Sequence, residues 1–481
     1  MSHFIDPFLD DVQSASEING QDDPRYYAND PKSLVSQSKV HSFINGTGSA
    51  VYKSLVPLLE STNHELILVT CFWARSDTLE SLKDVLLKLS DKAVRRGTEK
   101  IRVQLCFSSS SLFQKLFHKQ TTLGQEYPPS DWAKKLDLPE KSELGGLELS
   151  VKSIFILPFS VMHPKYVIID RQTVVLPSCN ISWEEWFEGA LVFSGPIVSQ
   201  FTKFHTEFWT RQSPLPLPAT SPSEVVAQPS EPGLSNLSHA HTITHFPLSS
   251  SPSIPTIFLP SPHRRNPQFR PFASASNITP PPTPLNTFFL ALLAKATSRV
   301  TIQTPNVTSP PVLSAILSAL ARGIDVHIRT SARLMILEQL VTAGTTTSRC
   351  VKTLIKRYKR LVHSSQASSL STNDEEAAIA ISPSRPGRLR IEFFEPLDGA
   401  KKRGQEGGEP QQSHLKMTCV DGEVVVLGSG NLDRASWFTS QELGVAFFDK
   451  NLVESIERSV GEAMNGRTRT VFDSEESGMT S

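Results

Sequence analysis

The sequence predicts an α/β protein made of two similar lobes. In each half, short apolar runs that read as buried strands alternate with stripes at helical spacing. The order in both halves is strand, helix, strand, insertion, strand, a strand carrying His-x-Lys, and helix, which is the mark of an internal duplication. A stretch dense in Pro and Ser separates the halves and reads as a linker between them.

Residues 1–38 are polar and are expected to be a disordered extension. Lobe 1, residues 39–212, opens with a helix after Gly48 and a buried strand over 65–73. Asp77 caps the next helix, which has Leu79, Leu82, Leu86, Leu89 and Ala93 at helical spacing and ends at Gly97. A strand over 101–107, an irregular insertion over 109–150 and a strand over 151–157 lead to the first His-x-Lys strand. The closing helix puts Ile197, Phe201, Phe204, Phe208 and Trp209 on one face. Residues 213–284 (S-P-L-P-L-P, S-S-S-P-S-I-P, T-P-P-P-T-P) are expected to be a disordered linker. Lobe 2, residues 285–464, repeats the order: a helix over 285–296, a strand over 299–305 and a helix opened by Ser309-Pro310. Strands over 326–330 and 389–394 follow, then the second His-x-Lys strand and a helix near 452–464. Segments 364–388 and 399–413 read as flexible, and 465–481 as a loose tail.

Lys plus Arg and Asp plus Glu both total 48, so the net charge is zero and a globally basic nucleic-acid binder is not indicated. Four of the five cysteines, Cys71, Cys106, Cys179 and Cys419, lie in or beside apolar runs, as reduced and buried thiols do. The start lacks the pattern of a secretory signal, and no apolar run approaches membrane-span length. An intracellular protein, cytoplasmic or peripheral on a membrane, is the expectation.

Two segments carry chemistry. His414 and Lys416 sit two apart, Asp421 follows five after the Lys, and Gly428-Ser429-Gly430-Asn431 completes the set. His163, Lys165 and Asp170, then Pro177-Ser178-Cys179-Asn180, repeat it with the same spacings. Alternate strand residues share a face, so each His-Lys pair can face one cleft. Each fixed position matches by chance roughly one time in twenty, so two copies of a five- or six-position pattern are not an accident.

Both segments resemble the HxK(x)4D motif, with trailing GSxN, of the phospholipase D superfamily, and most closely its phospholipase D and cardiolipin synthase-like branch. The resemblance implies two lobes packed across a pseudo-twofold, with the active site at their interface. It implies His163, Lys165, Asp170, His414, Lys416 and Asp421 as the catalytic set. One His attacks phosphorus and the other protonates the leaving alcohol, and analogy makes His163 the nucleophile. Lys165 and Lys416 would hold nonbridging phosphate oxygens, and Ser178, Asn180, Ser429 and Asn431 would line the anion pocket. The five-residue offset turns Asp170 and Asp421 to the opposite strand face and favours a structural role for them. Glu442 and Glu188 are then the candidates to orient the imidazoles. Pro177 replaces the usual Gly and removes a backbone N–H from the first turn. Trp183, Trp186 and Trp437 line an acyl or headgroup pocket or pack in the core.

No metal or other cofactor is expected, since the lysines and imidazoles supply the charge and no cluster has metal-ligand spacing. A basic amphipathic helix over 349–362 suits an anionic membrane surface, a nucleic-acid backbone, or simply a solvated face. The reading is a monomeric phosphodiesterase acting on phospholipids by hydrolysis or transphosphatidylation. An endonuclease or nucleic-acid phosphodiesterase is the alternative, and a non-catalytic phospholipid-binding protein the third reading.

Overall fold

The computed structural model describes residues 2–97, 99–110, 118–119, 121–156, 160–212, 216–217, 227–231, 240–246, 253–262, 279–370, 385–402 and 408–476. A helix, α1 (Ser2–Ser14), precedes the first lobe. That lobe contains β1 (Val35–Thr47), α2 (Gly48–Glu60), β2 (Glu65–Phe72), α3 (Asp77–Arg96), β3 (Ile101–Ser109) and β4 (Leu147–Ser153). The hairpin β5 (Tyr166–Ile169) and β6 (Thr173–Pro177) follows, then β7 (Phe187–Ser194) and α4 (Ile197–His205). Its strands lie in the order β4-β3-β2-β5-β6-β7-β1. The two pairs made by β3 are parallel and the others antiparallel.

Next come β8 (Thr242–His245), β9 (Ile254–Ser261), α5 (Pro284–Lys295), β10 (Arg299–Gln303), α6 (Pro310–Ala321), β11 (Asp325–Thr330), α7 (Ile336–Ala343), α8 (Thr347–Leu370) and β12 (Leu389–Phe394). The chain ends with the hairpin β13 (Met417–Val420) and β14 (Val424–Gly428), α9 (Arg434–Phe438), β15 (Glu442–Phe448), α10 (Lys450–Met464) and β16 (Thr468–Asp473). The second lobe's order is β12-β11-β10-β13-β14-β15-β9, with the same parallel and antiparallel pairs at the same places. The two-lobed α/β duplication expected from the sequence is therefore the observed architecture.

The lobes share one sheet. The first residues of β1, Val35–Ser38, pair antiparallel with β9, and farther along β1 pairs with β8. At the seam the buried hydroxyls of Ser38 and Thr256 are 2.7 Å apart. Phe193 of β7 meets Phe447 of β15 edge to face, with centroids 5.4 Å apart. One apolar core runs from lobe 1 into lobe 2, so the interface is packed as an interior.

Three expectations are corrected here. Residues 2–34 are not a disordered extension. Phe4, Phe8 and Val12 recur every fourth residue along α1 and are buried, Phe8 meeting Phe288 of α5 edge-on at 5.3 Å. The segment 213–284 is not wholly a linker, because β9 lies inside it with Ile257, Phe258 and Leu259 fully buried. Its prolines disguised it. Pro255 sits where β9 pairs only with β1, and Pro260 where it pairs only with β15. Each proline thus faces an open side of the strand, where its missing N–H costs no ladder bond. The tail also supplies an edge strand, β16, paired with β12. The rest of the expected linker (213–215, 218–226, 232–239, 247–252, 263–278), residues 371–384, 403–407 and 477–481 lie outside the described residues.

The helices follow local rules. Ser76, not Asp77, is the cap of α3: its hydroxyl accepts the Leu79 N–H at 3.2 Å, and Gly97 closes the helix in the left-handed region at φ 61. All five cysteines are buried and none forms a disulfide. Among the described residues no helix is long and apolar enough to cross a membrane.

Candidate active site

The two motif histidines are carried to the lobe interface by a pair of short crossed bridges. Met162 pairs with Gln441, and Phe187 pairs with Ser413. The His163 N–H donates to Gln441 O at 3.0 Å, and the His414 N–H to Phe187 O at 2.8 Å. Each bridge sets the next residue of one lobe beside the next residue of the other. His163 therefore meets Glu442, and His414 meets Glu188.

The contacts are short. His163 Nδ1 donates to Glu442 Oε2 at 2.8 Å, and His414 Nδ1 donates to Glu188 Oε1 at 2.7 Å. Each lobe's imidazole is thus held by the opposite lobe's carboxylate, which sequence position alone did not reveal. A neutral imidazole that gives its Nδ1 proton to a carboxylate keeps Nε2 as a lone pair. Both carboxylates are buried and further fixed. Ser178 Oγ donates to Glu188 and accepts the Gly189 N–H at 2.9 Å. Ser429 Oγ donates to Glu442 at 2.5 Å and accepts the Leu443 N–H at 3.0 Å. The two serines thus bind the carboxylates, which departs from the expectation that they line the anion pocket.

Lys165 and Lys416 are almost completely buried, and their ammonium groups donate back to the carbonyls of His163 at 3.0 Å and His414 at 2.6 Å. Burial pushes Lys416 down to about 7, partly offset by Glu188, while Lys165 lowers it further. Burial also holds His414 down to about 3, opposed by Glu188 and assisted by Lys416. His163 is lowered by burial as well, against the pull of Glu442, with both lysines adding to the lowering. Burial would raise Glu188, but His414, Lys416 and Ser178 together hold it below the usual carboxylate range. Two imidazoles held neutral, two lysines and two carboxylates therefore share one buried site.

Loss of the Lys416 proton removes half of the ammonium charge, so a pH dependence follows. For a diester substrate, kcat/KM should fall as pH rises through about 7, since that parameter reports the free protein. Lys416→Arg, which stays charged, should flatten this alkaline limb in a pH–rate series on a soluble diester.

The two asparagines are placed differently. Asn180 is half-buried, and its Oδ1 accepts the Phe72 N–H at 3.2 Å. Asn431 is buried with Nδ2 donating to Asp433 Oδ2 at 3.2 Å, while its Oδ1 has no partner among the described residues. Sequence reading missed two supports here: Ser436 Oγ donates to Glu442 Oε1 at 2.6 Å, and Asp433 accepts the Ser436 N–H at 2.8 Å. The signal was present as a capping pattern, Asp433-x-x-Ser436, that opens α9.

Asp170 and Asp421 are not in the site, so their place in the catalytic set is corrected and the structural reading of them holds. Asp170 accepts the N–H groups of Asn63, His64 and Glu65 at 2.8, 2.7 and 2.8 Å. Asp421 accepts those of Thr297, Ser298 and Arg299 at 2.9, 2.8 and 3.0 Å. Burial would raise Asp421, but these backbone donors outweigh it and hold its carboxyl low. Both residues sit in the left-handed region (φ 50 and 54) at the tips of their hairpins and tie down the start of β2 or β10. Asp170→Ala should lower unfolding stability by about 2–4 kcal/mol in urea titration, with kcat/KM on a soluble diester changed by less than about threefold.

Pro177 is accommodated. It ends β6 opposite Ala190, and the next N–H, of Ser178, still donates to Gly189 O at 2.8 Å. At the equivalent Gly428 a Cβ would lie 2.2 Å from Leu443 O, so glycine is required in the second half only. Trp186 lies against the His414 ring with centroids 4.7 Å apart, whereas Trp437 packs in the core on Phe289 and Trp183 is exposed. Among the described residues no His, Cys, Asp and Glu cluster has the makings of a metal site. A cavity of about 1090 Å³, lined in part by His64, Arg96, Lys100 and Trp132, touches none of the site's side chains.

Residues 289–463, nearly all of the second lobe, match the family model described as cardiolipin synthase, PLD-like domain. The crystal structure of phosphatidylserine synthase from Haemophilus influenzae Rd KW20 superposes with a TM-score of 0.51 at 12% identity, covering 92% of this chain and 90% of that one. The second lobe is therefore similar to phospholipase D-like domains. Two further structures of lower similarity are a phospholipase D family member, Nuc, from Salmonella typhimurium and polyphosphate kinase from Porphyromonas gingivalis. Nuc is 16% identical over 39% of this chain and 90% of its own, with a TM-score of 0.26. The kinase is 11% identical over 86% of this chain and 45% of its own, with a TM-score of 0.42. No curated protein matches the sequence. The fold of that synthase thus spans both lobes, although the family model matches only the second.

Proposed function

We propose that this phospholipase D-like protein cleaves phospholipid diesters through a covalent phosphohistidine, by hydrolysis or by transfer to a second alcohol. The observation that carries the reading is the crossed pair of imidazoles, each with Nδ1 on a buried carboxylate, beside two buried lysines. His163 Nε2 attacks phosphorus, the P–O bond to the leaving alcohol breaks, and that oxygen takes a proton from His414 Nε2. His414 then accepts the proton of water or an acceptor alcohol as its oxygen attacks phosphorus and the P–N bond breaks. Lys165 and Lys416 stabilise the charge on the nonbridging oxygens.

The assignment of roles has a physical basis. The side chain of His163 is 13% exposed and that of His414 3%. A nucleophile must be neutral and reachable, which suits His163. The acid must arrive protonated, and burial holds His414 neutral in the free protein. The arriving phosphate anion adds a negative charge beside His414, so substrate binding draws a proton onto it.

A side-by-side assay tests the substrate class. Phosphatidylglycerol-containing vesicles should be hydrolysed, or headgroup-exchanged when glycerol is added, while single- and double-stranded DNA stay intact. Cleavage of DNA with inert vesicles would replace this reading by a nuclease. Tight vesicle binding without turnover of either would leave a lipid-binding protein.

A further inference from the structure

The helix α7 presents an unusual face. Met335, Ile336, Leu337, Leu340 and Val341 are 38–79% exposed, and they include five of the nine exposed large hydrophobic side chains among the described residues. At 100° per residue the four helical ones span an arc of about 140°, with Glu338 beside it. The opposite side is anchored: Gln339 is buried, donates to Asn306 Oδ1 at 2.9 Å and accepts the Thr347 N–H at 2.6 Å. The apolar face is therefore held outward.

Charge surrounds it. Ser348 Oγ donates to Ala332 O at 2.9 Å, which joins the segments carrying their chain neighbours, the exposed Arg333 and Arg349. The following α8 carries Arg349, Lys352, Lys356, Arg357, Lys359 and Arg360, all exposed, and no acidic residue. Its apolar stripe, Val351, Leu354 and Tyr358, is buried in the core, so its solvated side is almost purely cationic in a chain of zero net charge. α7 also packs against α9, which begins three residues beyond Asn431. The face and the cleft share a wall.

We propose that the outer face of α7 and the basic side of α8 dock this protein on an anionic lipid bilayer. Aliphatic side chains enter the headgroup boundary and lysines and arginines engage lipid phosphates, a pairing that a nucleic-acid backbone would not use. The proposal rests on the lipid reading above only for what the cleft does once docked.

The test is flotation with vesicles of phosphatidylcholine alone or mixed with phosphatidylglycerol. The protein should bind the mixed vesicles more tightly, and salt should weaken that binding. L337E/V341E should lower the affinity by about tenfold or more. K352Q/K356Q should lower it by about fivefold for each charge on mixed vesicles only. Both variants should keep the native unfolding midpoint and turnover of a soluble diester. Equal binding by L337E/V341E, or no binding by the native protein, overturns the proposal. So does a native dimer that L337E/V341E dissociates in light scattering, since a second copy then covers the face. DNA binding weakened by the same substitutions, with vesicles unbound, makes it a nucleic-acid face instead. Binding is read without turnover, so absent lipid hydrolysis sinks the catalytic reading and leaves this one standing.

Discussion

Replacing His163 by Asn should lower turnover of a soluble phosphodiester by about 10⁴-fold or more, because the proposed mechanism makes its Nε2 the atom that bonds to phosphorus. The fold should survive. Glu442, left without its imidazole, still accepts from Ser429 and Ser436 at 2.5 and 2.6 Å, so no buried carboxylate is stranded. His414→Asn should behave differently with the leaving group. An alkyl ester needs a proton as its bond breaks, and its cleavage should fall as far as with His163→Asn. A nitrophenyl ester leaves without one, so its first turnover should fall by only about 10²-fold. Kinetics on the two esters with the two variants separate nucleophile from acid. If His163→Asn is the variant that spares the nitrophenyl ester, the roles are reversed.

The second large effect concerns the crossed carboxylates. Glu442→Gln keeps the shape but loses the charge that supports the imidazolium, and should cost about 10²- to 10⁴-fold in kcat. Glu188→Gln should do the same. A double-mutant cycle reads the wiring. Glu442→Gln should cost almost nothing further in the His163→Asn background, a coupling of about 3–5 kcal/mol, yet keep nearly its full cost beside His414→Asn. Sequence proximity suggests the reverse, since Glu442 is nearer His414 in the chain. Coupling of Glu442 to His414 alone would contradict the contact of 2.8 Å to His163.

How much of this was legible follows from the range over which each signal acts. The His-Lys pairs, the asparagine turns and the duplicated strand order are local patterns, and they led to the right lobes. The role of Asp170 and Asp421 was also legible, because an odd offset on a strand flips the side chain away from the cleft. The exchange of carboxylates between lobes was not. It depends on the Met162–Gln441 and Phe187–Ser413 bridges, which join residues far apart in sequence by backbone contacts with no residue preference. The strand β9 was hidden by composition. Pro255 and Pro260 give its surroundings the look of a linker, and only its two partners reveal that the prolines face open edges. In α1 the acidic residues drew attention from Phe4, Phe8 and Val12, whose four-residue period was readable. On α8 the bland expectation for the apolar stripe proved right, as Val351, Leu354 and Tyr358 lie in the core.

The account stands on two imidazoles acting on one phosphorus atom from opposite sides. Quenching the reaction of a phosphorus-labelled diester in alkali, then mapping the labelled peptide by mass spectrometry, tests that directly. The label should reside on His163, disappear in His163→Asn, and accumulate in His414→Asn, where no ring remains to activate the second attack. Label on any other residue, or undiminished turnover by a variant lacking both imidazoles, would contradict it.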